Sequence, residues 1–133
     1  MNVANIGAIA RILAGVKINK MTDKGAKANL LKDYLAVRKV AKETDSEKEE
    51  IISKFQSDWA DEMRDPSKQG KEYKDAETDA NNALAEIDAR EVELDLAKVP
   101  ASALYEPEIW GDDIILAQIP GTIDFLIENG LAE

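Results

Sequence analysis

Nine consecutive residues, Lys42–Glu50, carry no apolar side chain, although the pattern on either side of them is helical. Upstream, Leu30, Tyr34, Val37 and Ala41, flanked by Leu31 and Leu35, keep an i, i+4, i+7 rhythm. Downstream, apolar spacing resumes at Ile51, Ile52, Phe55, Trp59 and Met63. If 23–63 were one helix, it would span about 60 Å at ~1.5 Å per residue. A compact domain of this length has a radius of gyration near ~14 Å, so such a helix would protrude. The alternative is a break at Thr44-Asp45-Ser46. Ser46 followed by Glu49 has the spacing of a capping box, in which each side chain reaches the other's backbone amide. A kink or tight hairpin at this point is the favoured expectation.

The remaining segments are easier to read. Val3, Ile6, Ile9, Ile12, Leu13 and Val16 recur every three or four residues and predict a helix over 4–14. Its charge and composition do not suit a signal peptide, which wants a basic leader before an unbroken apolar stretch. Val16-Lys17-Ile18 alternates as a short extended link would, and Thr22-Asp23 offers a cap to the helix that follows. Asp65-Pro66-Ser67 through Gly70 reads as a loop. Ala76, Ala80, Ala83, Leu84 and Ile87 then form a helical stripe of mostly small residues within a helix over 71–88, and this stripe is assigned to the core.

At Glu91 the period becomes two. Val92, Leu94 and Leu96 alternate with Glu91, Glu93 and Asp95, which predicts a half-buried strand over 91–97 pairing with 16–18. Pro120-Gly121 interrupts the next apolar stretch, and a last helical segment over 122–128 ends at Asn129-Gly130, a natural C-cap. The expected fold is mainly α (α+β with minimal β). It comprises a helical hairpin or bent long helix plus one short C-terminal strand, in a single domain over 1–133. With 133 residues, it can bury a core without staples.

Composition narrows the chemistry. There is no His and no Cys, which excludes thiol nucleophiles, disulfides, zinc fingers and Ser-His-Asp triads. The absence of cysteine fits a cytoplasmic protein. No apolar run approaches the ~20 residues of a membrane span, so no membrane partner is expected. The acids of 72–88 lie opposite the alanine stripe and read as a solvated face, not a metal site. Asp112-Asp113 beside Trp110 could bind a cation or a sugar, a reading less favoured than helix-terminus electrostatics. No glycine-rich phosphate loop is present. No catalytic residue, cofactor or metal is assigned, and the chain is read as a non-enzyme.

Charge is divided along the chain. Residues 1–42 hold nine bases and two acids, a net of +7; residues 43–133 hold eight bases and 25 acids, a net of −17. The bland explanation is that the two regions pack together. A functional one is a nucleic-acid-associated accessory protein using the basic segment 17–42, but the only aromatic there, Tyr34, lies on the apolar stripe, so nucleic acid is an unlikely partner. An acidic DNA-mimic inhibitor would use the −17 region instead. The small-residue stripe and the face of Ile51, Ile52, Phe55 and Trp59 suggest self-association as a homodimer. Those four residues, with Trp110, are the candidate partner-binding set.

The order of pieces is also suggestive. Ile9, Ile12 and Leu13 lead into Val16-Lys17-Ile18. A long charged stretch with Ile51-Ile52 and Phe55 follows, then Asn82-Ala83-Leu84, Glu91-Val92-Glu93-Leu94-Asp95 and Ile123-Asp124-Phe125-Leu126-Ile127. This order resembles small proteins encoded by tailed bacteriophages and prophages, a family that brings no assigned activity and no catalytic residues. The resemblance implies a bacterial cytoplasm or a virion. It also implies a role through contact with a host or phage protein, in virion assembly or in inhibition of a host defence factor.

Overall fold

The computed structural model describes residues 1–112 and 114–133, and they form a mainly helical molecule. Helix α1 spans Val3–Ala14, and its first turn is capped by Asn2, whose side chain accepts from Asn5 N–H at 2.8 Å. Helix α2 spans Lys24–Asp58 and is capped by Asp23, which accepts from Ala26 N–H at 3.1 Å. These caps satisfy amides that have no partner within the helix. A five-residue helix, α3 (Ala60–Arg64), and a 3-10 turn at Pro66–Lys68 reverse the chain. Helix α4, Lys71–Ala89, then returns against α2. Three short 3-10 turns follow before α5, Ile119–Glu128.

The break expected at Thr44-Asp45-Ser46 does not occur. Helix α2 runs through it for 35 residues, about 52 Å at ~1.5 Å per residue. Nothing in Lys42–Glu50 breaks a helix: there is no Pro or Gly, and every residue can be accommodated by helical backbone. Ser46 and Glu49 therefore sit within the helix and form no capping box. The inner side of this polar stretch is filled without apolar groups. Thr44 is buried and returns its hydroxyl to Val40 C=O at 2.9 Å. Lys48 pairs with Asp88, and Glu47 accepts from Arg90 at 2.7 and 3.3 Å, tying the stretch to the end of α4. The hairpin exists, but its turn lies at 59–70.

The core gathers Ile6, Ile9 and Leu13 of α1, Leu30 and Val37 of α2, Leu104 and Ile109 of the 3-10 turns, and Ile123 and Leu126 of α5. Pro120-Gly121 begins α5 instead of interrupting it, since proline suits the first helical turn, where its missing N–H has no partner to lose. The helix ends in a Schellman motif: Leu131 N–H reaches Leu126 C=O at 3.0 Å and Gly130 N–H reaches Ile127 C=O at 3.1 Å. Gly130 has φ +83°, a conformation that favours glycine. Leu131 is thereby delivered, fully buried, into the core.

The strand expected over 91–97 is not formed. The segment is extended and its burial alternates as the sequence pattern requires: Val92, Leu94 and Leu96 are half-buried, Glu91, Glu93 and Asp95 exposed. What it lacks is a neighbouring strand. Its start bonds to residues 1–3, with Val92 N–H on Met1 C=O at 2.9 Å and Val3 N–H on Arg90 C=O at 3.0 Å. Its far end is held by a side chain, Asp33 Oδ1 accepting from Ala97 N–H at 2.8 Å. Val16, the expected partner, forms an isolated antiparallel bridge with Trp110, and Lys17 N–H bonds Ile109 C=O. Gly111 completes that contact, donating to Gly15 C=O at 3.2 Å; a Cβ on Gly111 would lie 3.2 Å from the same oxygen.

Candidate functional site

Beyond Thr44 the hairpin of α2 and α4 leaves the core behind. Two helices packed only on each other cannot enclose an apolar stripe on all sides, and the arm accordingly buries just two large side chains beyond this point, Tyr73 and Ile87. Tyr73 closes the outer end. Its ring lies 5.5 Å from Phe55, tilted by 52°, and 5.8 Å from Trp59, near edge-on at 78°. Such geometries favour the ring quadrupoles. The Tyr73 hydroxyl meets Glu77 Oε2 at 3.4 Å, and burial together with the Glu77 charge raises its pKa. At the turn, Asp65 accepts from Ser67 N–H at 3.1 Å and from Ser67 Oγ at 2.7 Å; these bonds stabilise the carboxylate and lower its pKa.

Between the aromatic end and the body lies an open groove of about 190 Å³. Ile51, Ile52 and Phe55 form one wall, Ala80 and Leu84 the other, with Met63 at its end and Gln56, Glu77 and Asn81 on its polar rim. Met63 is 43% and Ile52 36% exposed, high for large apolar groups. An apolar floor with a polar rim is the composition of a surface that receives a side chain from another molecule.

Of the candidate set, the structure brings Ile51, Ile52 and Phe55 into this groove and places Trp59 beside it in the aromatic cluster. Trp110 lies apart from them in the body: it is buried, its indole N–H donates to Leu104 C=O at 2.7 Å, and it lines a separate open cavity with Arg11, Ile12 and Thr122. The expected core assignment of the α4 stripe needs correction. Ile87 is buried, but Leu84, Ala80, Ala83 and Ala76 are half-buried. Residues that sequence reasoning left out of the site are Met63, Ala80 and Leu84. The small-residue stripe pointed to the last two, but with one facing helix and no third layer that stripe becomes a groove wall.

Asp112 is exposed, while Asp113 lies outside the described residues. Among the described residues no three acidic side chains converge as a metal would require, and no helix is long and apolar enough to cross a membrane. Among the described residues, two ion pairs join the charge regions, one of them the Met1 amino group with Glu91 at 3.0 Å. Of the nine bases in 1–42, Lys32 pairs with Asp95 at 3.8 Å. None of the other eight has a carboxylate within 4 Å among the described residues. No protein-family model, curated protein or solved structure matches the chain.

Proposed function

We propose that this is a non-enzymatic binding protein of phage or prophage type, acting in the bacterial cytoplasm or on the virion. Its activity is contact with another protein, in virion assembly or in restraint of a host defence factor. The observation that carries the reading is the arm: a helical hairpin that projects from the core and keeps an apolar, polar-rimmed groove open along its length. An apolar surface held out on a soluble protein marks a contact site more often than it contributes to stability. Immobilised protein exposed to extract from infected cells tests this. Met63→Asp and Ala80→Arg, which charge or fill the groove without touching the core, should abolish capture of a partner that wild type retains. Equal capture by wild type and both variants would reject the groove as the contact.

The reading as a nucleic-acid accessory protein retains one supporting observation, the eight bases of 1–42 that have no ion-pair partner among the described residues. Titrating duplex DNA at increasing salt separates the readings. A steep loss of affinity with salt indicates phosphate contacts, and no binding at low salt removes this alternative.

A further inference from the structure

The charge of α2 runs against the helix that bears it. Residues 24–42 hold six bases and one buried acid, a net of +5, and 43–58 hold six acids and two bases, a net of −4. A helix favours acids near its N-terminus and bases near its C-terminus, so helix stability does not account for the pattern. Nor does local pairing. Arg38 and Lys42 are like charges at i, i+4, as are Asp45 and Glu49, an arrangement that destabilises an isolated helix. None of the four has an opposite charge within 4 Å among the described residues.

These four belong to one exposed line. It begins at Leu31 and Leu35, 46% and 53% exposed, passes through the four charges, and ends at Ile52 and Gln56. Successive steps are four, three, four and three residues, the heptad spacing of a helix that coils left-handed about another. A two-fold axis crossing α2 between Glu43 and Thr44 would set Lys42 opposite Asp45 of a second copy and Arg38 opposite Glu49. The same axis sets Leu35 opposite Ile52 and Leu31 opposite Gln56. Every layer is then either charge-complementary or free of charge. A parallel pair would put each charge against itself. A one-heptad slip toward the N-terminus would put Arg38 against Lys42; one toward the C-terminus would put Asp45 against Glu49.

We propose that the protein pairs antiparallel with a second copy of itself along this line of α2, the four charged layers about the two-fold axis fixing direction and register. Polar layers within a helix seam specify register at a cost in affinity, and an isologous contact closes the assembly at two copies. The contact is independent of the groove reading: the charged layers lie outside the groove, and only Ile52 and Gln56 border both.

Sedimentation equilibrium on the full chain tests the pairing. Wild type should exceed the 14.6 kDa of one chain at concentrations of about 10–100 µM, as befits a small interface. Arg38→Glu/Lys42→Glu and Asp45→Lys/Glu49→Lys should each weaken self-association at least about tenfold, since each sets like charges face to face. A 1:1 mixture of the two variants should restore it, because each then meets its complement. All four positions are exposed, and circular dichroism confirms that helicity is unchanged. A chain free of cysteine allows a second readout. Leu35→Cys and Ile52→Cys, about 25 Å apart along the helix, should give little cross-linked product alone and a disulfide dimer when mixed. A single 14.6 kDa species at every concentration, variants whose mixture does not re-associate, or efficient cross-linking of Leu35→Cys with itself would each overturn the proposal.

Discussion

The body of the molecule and its arm are built from the same helix and differ in what surrounds it. In the body, α2 is met by α1 and, through Asp33, by the extended segment at Ala97, and Leu30 and Val37 are excluded from solvent entirely. In the arm, the same helix is met by α4 and the short α3, and Ile51 and Phe55 remain half-exposed. Burial of an apolar side chain requires contact on every side, and two helices supply one layer too few. The body therefore holds the free energy of the fold, and the arm presents surface. Single substitutions that look alike in sequence should separate the two regions.

The largest expected effect is in the body. Leu126→Asp places a carboxylate at a fully buried position with no partner available. Burial of an unpaired charge costs several kcal/mol, or about as much as a domain's whole stability of ~5–15 kcal/mol. Loss of the cooperative melting transition, or insoluble expression, is the expected result. A Tm within a few degrees of wild type would mean that α5 is not a core element.

The matching change in the arm is milder. Leu84→Asp lies on the groove wall, where water can solvate the new charge. A cost of about 1–2 kcal/mol is expected, in the ordinary range for single substitutions. The melting transition should remain cooperative with a lower midpoint. Unfolding as severe as that of Leu126→Asp would show the arm to be as tightly packed as the body. Phe55→Ala, which removes one ring from Tyr73, should speed amide exchange in α4 and at the turn while leaving α1 and α5 protected, because weakly packed elements open locally.

The same division governs what was legible in the sequence. Helix α1 and the capping of α2 by Asp23 could be read because each depends on local spacing and chemistry. Leu84 was misassigned because periodicity shows which face is apolar but not whether anything lies beyond the facing helix. Glu91–Ala97 displays the alternation of a strand and keeps its alternating burial, yet strand character needs a partner backbone, which no local pattern contains. The polar stretch Lys42–Glu50 suggested a break because no apolar residue faces inward. In fact Thr44, Lys48 and Glu47 find polar partners there. Ile51, Ile52 and Phe55 were found as surface by their distance from the rest of the core. Trp110 was not separable from them, since a tryptophan in a turn-rich segment is as often an anchor as a contact.

The smallest effect concerns Asp33, where the body is least well satisfied. Its side chain is fully buried on α2, Oδ1 accepts from Ala97 N–H, and Oδ2 has no partner among the described residues. Burial raises its pKa above the ordinary 3.8, outweighing the bond from Ala97 and the nearby Lys32 charge. In the folded state the carboxyl therefore takes up a proton more readily than in the unfolded chain, and folding is favoured where the proton is on. By linkage, the charged form holds stability down at neutral pH. That penalty is relieved as pH falls through the raised folded-state pKa, and it is gone below the ordinary value. Asp33→Asn keeps the acceptor for Ala97 N–H and removes the charge. Its Tm should exceed that of wild type at pH 7, with the gap closing as pH approaches 3.8. Glu47, whose pKa is lowered by its bond from Arg90, acts in the opposite direction and loses its contribution in acid. It is present in both proteins and cancels from the difference. Thermal melts of the pair across pH 3–7 read the gap directly. A Tm difference independent of pH would mean that Asp33 titrates alike in the folded and unfolded chains, and that the tie between α2 and the extended segment does not depend on its charge.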